Sequence, residues 1–510
     1  MKKMRLLRAV IMPLICSAAL SCSMDGFGIM KDNVSMPEAS FDEEMSQEEG
    51  DRFDEIKEND FIKTADENVS TFSIDADGAS YAYMRKMLKD HGRLPSANAV
   101  RIEEYLNYFT FDYEDPAEEH TVAINGEVGD CPWNPDHRLI RLGIKGKSME
   151  ISQMPAANYV FLIDVSGSMN QSDKLPLLKE GLITLTDRLN PTDRVSIVTY
   201  SGQVKLLLES TLASDDQTIK KAISKLGASG STSGGAALKM AYEEALANYI
   251  EGGNNRVIMG TDGDFNVGVT STDALVEMVQ DYASKGIYLT VCGFGTGNLN
   301  DSMMEQISNK GNGTYEYIDS EDELSKVFVN ERSKFQAVAN DSKVQVTFDK
   351  EKVDSYRLIG YENRVMANED FEDDSKDAGE IGAGQTITAL YEIIPGEKYE
   401  ETGPLAVFDF RYKKALGEES YLLSFDVLRS LTMDETPTEL RFAAGVAAYG
   451  LVLRDSKYRG TATFEMAYEL VGERLSFDPF GYRAQLRDLI KLAEQISPDN
   501  NYTDKEPSLK

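Results

Sequence analysis

Phe161–Asn170 reads FLIDVSGSMN, a run of strand-forming apolar residues that closes in Asp164, Ser166 and Ser168, one acid and two hydroxyls at alternate positions. An apolar run closed by small polar residues is the pattern of a buried parallel strand where it leaves its sheet and its side chains turn toward a ligand. Outward from this stretch, between Asn158 and about Phe335, the strand candidates YVFLIDVS, RVSIVTYS, VKLLLES, NNRVIMGTDG, IYLTVCGFG and GTYEYID recur. Helical patterns such as KLPLLKEGLITLTDRL and TDALVEMVQDYASKG lie between most of them. Such alternation predicts an α/β fold, a mostly parallel, doubly wound sheet covered by helices on both faces. VKLLLES follows RVSIVTYS after only a short turn, so this pair is expected to be an antiparallel edge.

In doubly wound sheets the functional loops lie beyond the carboxyl ends of the strands, where the strand order reverses. Three segments bring oxygen ligands to that edge: Asp164-x-Ser166-x-Ser168, on a turn that Gly167 is expected to keep sharp; GASGSTSGG, carrying Thr232; and TDGD, carrying Asp262. Hard divalent cations take oxygen ligands, and Mg²⁺ takes about six in near-octahedral array, some of them water. Ser166, Ser168 and Thr232 are candidates for direct ligands, with Asp164 and Asp262 holding waters around the ion. A cation whose direct protein ligands are mostly neutral stays under-neutralised and attracts an external carboxylate.

DVSGS, GSTSGG and TDGDFN, in this order and on these elements, resemble the metal-ion-dependent adhesion site (MIDAS) of the von Willebrand factor type A (VWA) domain. Further out, SIDADGASYAYMR, CPWNPDHRLIRLGIKG, EGGNNRVI, GFGTGNLND, YRLIGYENR and DAGEIGAGQTITALYEI resemble a group of bacterial exported lipoproteins. That group sets a VWA domain between a characteristic N-terminal extension and a C-terminal domain of unknown function. The likeness runs from near Asn59 to near Ile496. It implies a Rossmann-like VWA domain and a metal constellation of Asp164, Ser166, Ser168, Thr232 and Asp262. It also implies Mg²⁺, with Mn²⁺ or Ca²⁺ as alternatives, and a protein partner that offers an Asp or Glu carboxylate. Asp264 and Asn266 fall near the site without being ligands the motif demands.

The flanks divide the chain further. Lys2, Lys3, Arg5 and Arg8 precede the apolar run Ala9–Leu20 and then Ser21-Cys22, the order of an export signal, and the run is too short to span a membrane. The ALSC ending resembles a lipobox, which implies a leader over 1–21, a lipid on Cys22 and a place in the bacterial cell envelope; Ser23 resembles the sorting residue of outer-membrane lipoproteins. From Glu38 to Asp60 there are eleven acidic residues against two basic, so 22–60 reads as a flexible acidic linker. Residues 61–150 read as a small α+β N-terminal domain in which Val100, Ile102, Tyr105, Leu106 and Phe109 form a core stripe. Within it, SIDADGAS places Asp75, Asp77 and Ser80 past a short strand; it faintly echoes a metal-binding turn, and a helix N-cap with Asx-type hydrogen bonds accounts for it more simply. The VWA domain covers 151–336. Period-two strands such as AVFDFRYK then indicate a β-sandwich, followed by helices, over 337–498, and 499–510 is a polar tail.

The 510 residues carry 53 Lys and Arg against 86 Asp and Glu, and this balance of -33 repels phosphate backbones and argues against a nucleic-acid partner. Cys131 and Cys292, the thiols beyond Cys22, make no disulfide framework. With only His91, His120 and His137, none in a nucleophile elbow or zinc-protease pair, the expectation is a binding protein and no enzyme. The rival is a metal-dependent hydrolase or phosphatase using the same cation as a Lewis acid. A third reading lets an acid of NEDFEDDSKDAG, Asn368 to Gly379, occupy the site as an internal ligand, against a plain solvated loop.

Overall fold

The structure, a computed structural model, describes residues 50–230, 234–263, 272–429, 438–472 and 477–497. The leader, Cys22, most of the acidic linker, Thr232, Asp264, Asn266 and the polar tail lie outside them. The apolar runs of the central segment form a six-stranded sheet in the order Tyr315–Ile318, Ile287–Phe294, Asn254–Thr261, Ala157–Asp164, Arg194–Tyr200, Val204–Leu212. All pairings are parallel except the last, which is the expected antiparallel edge.

Every residue of Ala157–Asp164 is buried, because helices cover both faces of the sheet. Tyr159, Phe161 and Ile163 pack with Leu178, Leu182 and Ile219 on one face. Val160 and Leu162 pack with Leu238, Ala241 and Ile307 on the other. The chain leaves Ala157–Asp164 toward Arg194–Tyr200 on one side and later returns to Asn254–Thr261 on the other. The order therefore reverses at the strand that ends in Asp164, and a crevice opens there.

The sandwich is present, and it draws strands from both flanking segments. One sheet runs Ile62–Lys63, Val353–Ile359, Thr386–Pro395, Arg138–Gly146, Val122–Asp130; the other runs Val365–Met366, Val69–Ser73, Ala337–Phe348, Pro404–Lys413, Tyr421–Leu428. Segments 61–150 and 337–498, set apart along the chain, thus alternate within the same two antiparallel sheets. The physical reason is that Arg138–Gly146 is almost wholly buried and needs a hydrogen-bonded neighbour on each side, which Val122–Asp130 and Thr386–Pro395 supply. Phe408, Phe410 and Tyr412 share the inner face, as their alternation predicts.

Helices Thr438–Leu453, Phe464–Val471 and Tyr482–Ile496 close over Ala79–His91 and Ile102–Asn107, burying the stripe Val100, Ile102, Tyr105, Leu106 and Phe109. Arg85 links this bundle to the central domain. Buried at 2% exposure, it donates to Asp319 at 2.7 and 2.5 Å, Glu323 at 2.6 Å, Tyr108 at 2.8 Å and Gln485 at 2.9 Å.

The linker ends earlier than its composition indicates. Asp51 accepts hydrogen bonds from the backbone amides of Gly297 at 2.6 Å and Leu299 at 3.1 Å, and Asn59 donates to the carbonyls of Leu358 and Gly360. Residues from Asp51 on are therefore laid along the folded body. Sequence composition misses this because the acids there find partners in the fold instead of water: Asp51 the backbone amides, Asp54 the Ser302 hydroxyl, and Asp60 Lys457 and Tyr458. In SIDADGAS the Asx-type bond exists, Asp77 N–H to Asp75 Oδ1 at 3.0 Å, but the N-cap of Ala79–His91 is Gly78, with no side-chain cap. Glu104 from the neighbouring helix accepts from Ser80 N–H instead.

Glu103 shows how polar groups are carried inside this bundle. Burial, with Glu362 and Asp75 adding, pushes its carboxyl from 4.5 up to about 8 against the pull of Arg454. A carboxyl raised in the folded state is protonated there while it ionises in the unfolded chain. Its contribution is complete below pH 4.5 and is lost as pH rises through about 8, at up to about 1.4 kcal/mol per pH unit. Glu103→Gln, which stays neutral, is expected to lose less stability than the parent between pH 5.5 and 8.5 in urea melts; parallel slopes would contradict this.

Candidate functional site

The site forms where Ala157–Asp164 and Asn254–Thr261 end side by side in parallel register. Asp164, the last residue of its strand, is fully buried; its Oδ1 accepts from the backbone N–H of Ser166 at 2.8 Å, and Thr261 donates to its Oδ2 at 3.5 Å. This turn brings the hydroxyls of Ser166 and Ser168 to 3.0 Å from one another. Ser168 also lies near enough to Asp262 to help hold its carboxyl down, so the first loop and the third meet. The glycine-rich loop approaches through its backbone: Gly167 N–H donates to the Gly230 carbonyl at 3.0 Å and Ser229 N–H to that of Val165 at 2.7 Å. Asp164, Ser166, Ser168 and Asp262 are thus together, and Thr232 lies outside the described residues.

Two expectations change. Gly167 opens a short 3₁₀ turn, Gly167–Asn170, and a Cβ there would meet only the Gly230 carbonyl at an ordinary 3.6 Å, so the turn does not depend on glycine. The demanding glycine is Gly263, with φ of +90° and a hypothetical Cβ 2.4 Å from the amide nitrogen of Asn300. It lets the loop after Asp262 press against the start of helix Asp301–Lys310.

The second change is Lys174, which spacing does not single out. It lies at the mouth of helix Leu175–Thr186, 2% exposed, and donates to Asp262 Oδ2 at 2.9 Å and to Asn298 at 3.4 Å. Gly295 makes room for it, since a Cβ there would meet Lys174 Cε at 2.2 Å. The strand Ile287–Phe294 thus continues into a loop whose Gly295 and Asn298 border Lys174. Burial alone would push Asp262 up, but Lys174, Ser168 and Asn298 outweigh it and hold the carboxyl below its ordinary range. The only sequence signal for Lys174 is its place at a helix start in the loop that follows the serines. Tyr200, whose backbone carbonyl accepts from Val165 N–H, backs Asp164 from the neighbouring strand.

The donor set suits a hard divalent cation. Two converging hydroxyls and a buried carboxylate are oxygen ligands or water holders, and no histidine or cysteine stands among the described residues of these loops. Ser166 and Ser168 would hold the ion directly, and Asp164 and Asp262 would orient its waters. His137, by contrast, sits in the turn before Arg138–Gly146 and bonds Glu392 at 2.6 Å. The NEDFEDDSKDAG segment is tied to the sandwich through Lys343, Arg411 and Thr71.

Comparison with known proteins agrees with these elements. The model of the von Willebrand factor type A domain matches residues 158–330, one described as von Willebrand factor matches 47–141, and one described as uncharacterized protein YfbK, C-terminal, matches 333–496. Uncharacterized protein YfbK of Escherichia coli K12 is 37% identical over 472 residues, 88% of this chain and 81% of that protein. Human inter-alpha-trypsin inhibitor heavy chain H4 is 30% identical over 210 residues, 39% of this chain and 22% of that protein. Among solved structures, a von Willebrand factor type A protein from Catenulispora acidiphila aligns over 75% of this chain and 91% of that one, at 17% identity and a TM-score of 0.42. With its VWA domain followed by the YfbK C-terminal domain, the chain belongs to the YfbK family.

Proposed function

We propose that this chain is a lipid-anchored protein of the bacterial cell envelope, tethered through Cys22 in the outer membrane, and that its VWA domain captures a protein partner through a divalent cation. The cation is held by Ser166, Ser168 and Thr232, with Asp164 and Asp262 behind them. The observation that carries the reading is the pairing of the two hydroxyls, 3.0 Å apart at the crevice, with an Asp262 already offset by Lys174. Asp164 and Asp262 bring two negative charges and Lys174 one positive, so the pocket's own charge is about one negative unit. A bound Mg²⁺ would supply a positive centre able to accept a carboxylate. The chain's own part is to hold the hydroxyls and waters in place, to keep Asp262 ionised, and to leave one face open to an Asp or Glu side chain of a partner.

The hydrolase reading needs a general base facing the crevice. Among the described residues the carboxylates there are both engaged, Asp164 by Ser166 and Thr261, Asp262 by Lys174, which favours binding over catalysis. The inter-alpha-trypsin inhibitor heavy chain relatives and the VWA assignment support the same side.

The test is a pull-down from envelope extract with the soluble chain from Asp51, run with Mg²⁺, with EDTA and with Asp164→Ala. One partner retained only with Mg²⁺ and intact Asp164 is expected; equal recovery in all lanes would contradict the proposal. The Lys174 pairing makes a further prediction. Lys174→Met removes the cation beside the Asp262 carboxylate, so Mg²⁺ affinity by calorimetry is expected to rise about tenfold, near 1.4 kcal/mol. The partner's affinity is expected to fall, because more of the ion's charge is neutralised from within. Unchanged Mg²⁺ affinity would show that Lys174 plays no part in the site's charge.

A further inference from the structure

A second set of carboxylates lies where the central domain meets the sandwich. Asp75 and Asp77, past the strand Val69–Ser73, meet Glu305 of helix Asp301–Lys310, and one oxygen from each falls within 4.8 Å of the others. All three are buried, at 2%, 1% and 5% exposure. They border a cavity of about 400 Å³ that Asp54, Asn363 and Arg364 also line.

Most of their oxygens are committed. Asp75 Oδ1 accepts from Asp77 N–H and Asp77 Oδ1 from Tyr315 N–H at 2.9 Å. Glu305 Oε1 accepts from Arg364 at 2.9 Å, Asn309 at 2.9 Å and Asn363 at 3.1 Å. Asp75 Oδ2 accepts from Arg364 at 3.1 Å. Asp77 Oδ2 and Glu305 Oε2, both buried, accept no hydrogen bond among the described residues, and the nearest guanidinium nitrogen to Asp77 Oδ2 is 3.9 Å away.

Charge is unbalanced in the same direction. Arg364 is the cation that reaches Asp75, Asp77 and Glu305, while the adjacent Arg101 is taken by Glu104 and Asp301. Buried carboxylates in excess of their cations must gain positive charge. Oxygens bound to one Ca²⁺ at about 2.3–2.6 Å lie at most about 5.2 Å apart, a limit that these carboxylates meet, and Ca²⁺ completes its six to eight ligands with water.

We propose that Asp75, Asp77 and Glu305 form a Ca²⁺ site, separate from the serine-loop site, that staples the central domain to the sandwich. Asp77 Oδ2 and Glu305 Oε2 are its protein ligands, Asp75 completes the acidic wall, and the cavity holds the ion's waters. The competing resolution is a proton: burial pushes Asp77 well up and would let it share a proton with Glu305.

The test uses the full mature chain freed of metal, in 0.15 M KCl so that loose binding to its acidic surface is screened. Calorimetry with Ca²⁺ is run on the parent, on Asp164→Ala, which silences the serine-loop site, and on Asp77→Asn. Asp164→Ala is expected to bind one Ca²⁺ and to gain several degrees in Tm with it. Asp77→Asn is expected to weaken that event at least tenfold while Mg²⁺ binding at the serines persists, which also shows that the variant is folded. Should Asp77→Asn not fold, the parent decides by equilibrium dialysis: Ca²⁺ bound beside saturating Mg²⁺ supports the site, and its absence overturns it. Asp164→Ala without Ca²⁺ binding, or a metal-free Asp77→Asn more stable than the parent and indifferent to Ca²⁺, identifies the shared proton and overturns the proposal.

Discussion

The reversal of strand order at Ala157–Asp164 is the constraint on which the rest of this molecule depends. A strand with a parallel neighbour on each side and helices on both faces has every residue before its end buried, so its polar chemistry is forced to its carboxyl tip. Asp164 is that tip. Its carboxylate organises the following turn by accepting Ser166 N–H, and the turn in turn brings the two serine hydroxyls together. Asn254–Thr261, one strand over and in register, can then deliver Asp262 to the same point without any loop having to travel. The flanking elements hold this edge from outside: Asp51 caps the loop at Gly297 and Leu299, and Arg85 anchors the end of the edge strand Tyr315–Ile318 at Asp319 to the helical bundle.

Much of this was legible in the sequence because it rests on local pattern. Alternating apolar runs and helical stripes revealed the doubly wound sheet, the short turn before VKLLLES revealed its antiparallel edge, and DxSxS revealed the first loop. What could not be read was long-range. Nothing in RLIRLGIK shows that its partner is TITALYEIIP more than two hundred residues later, so the N-terminal extension looked like a domain of its own when its strands complete the sandwich. The linker's acids looked solvated because composition does not reveal that Asp51 meets backbone amides of a loop far along the chain. Lys174 was missed for the same reason: a lysine at a helix start is unremarkable until Gly295 is seen to leave room for its stem and Asp262 to receive its charge. Thr232, read from its motif, stands beyond the described residues.

Charge management unites the two acidic regions. At the serine loops, Lys174 offsets one of two carboxylates, so the polar groups that face the crevice are largely neutral hydroxyls. At the seam with the sandwich, three carboxylates meet one arginine, and the surplus points the other way. In the proposed function the first arrangement would leave a bound ion's charge available to a partner, whereas the proposed Ca²⁺ at the second would have its charge consumed within the chain. On both proposals the same acidic residue types would serve an open recognition site and a closed internal one, according to how many cations the fold places beside them.

The most direct measurement of the central claim is the anomalous scattering of Mn²⁺ in crystals of the mature chain. The account predicts a peak bonded to the Ser166 and Ser168 hydroxyls, with Lys174 still on Asp262. A peak carried instead by Asp164 and Asp262 with Lys174 displaced, or no peak at the serines, would contradict it.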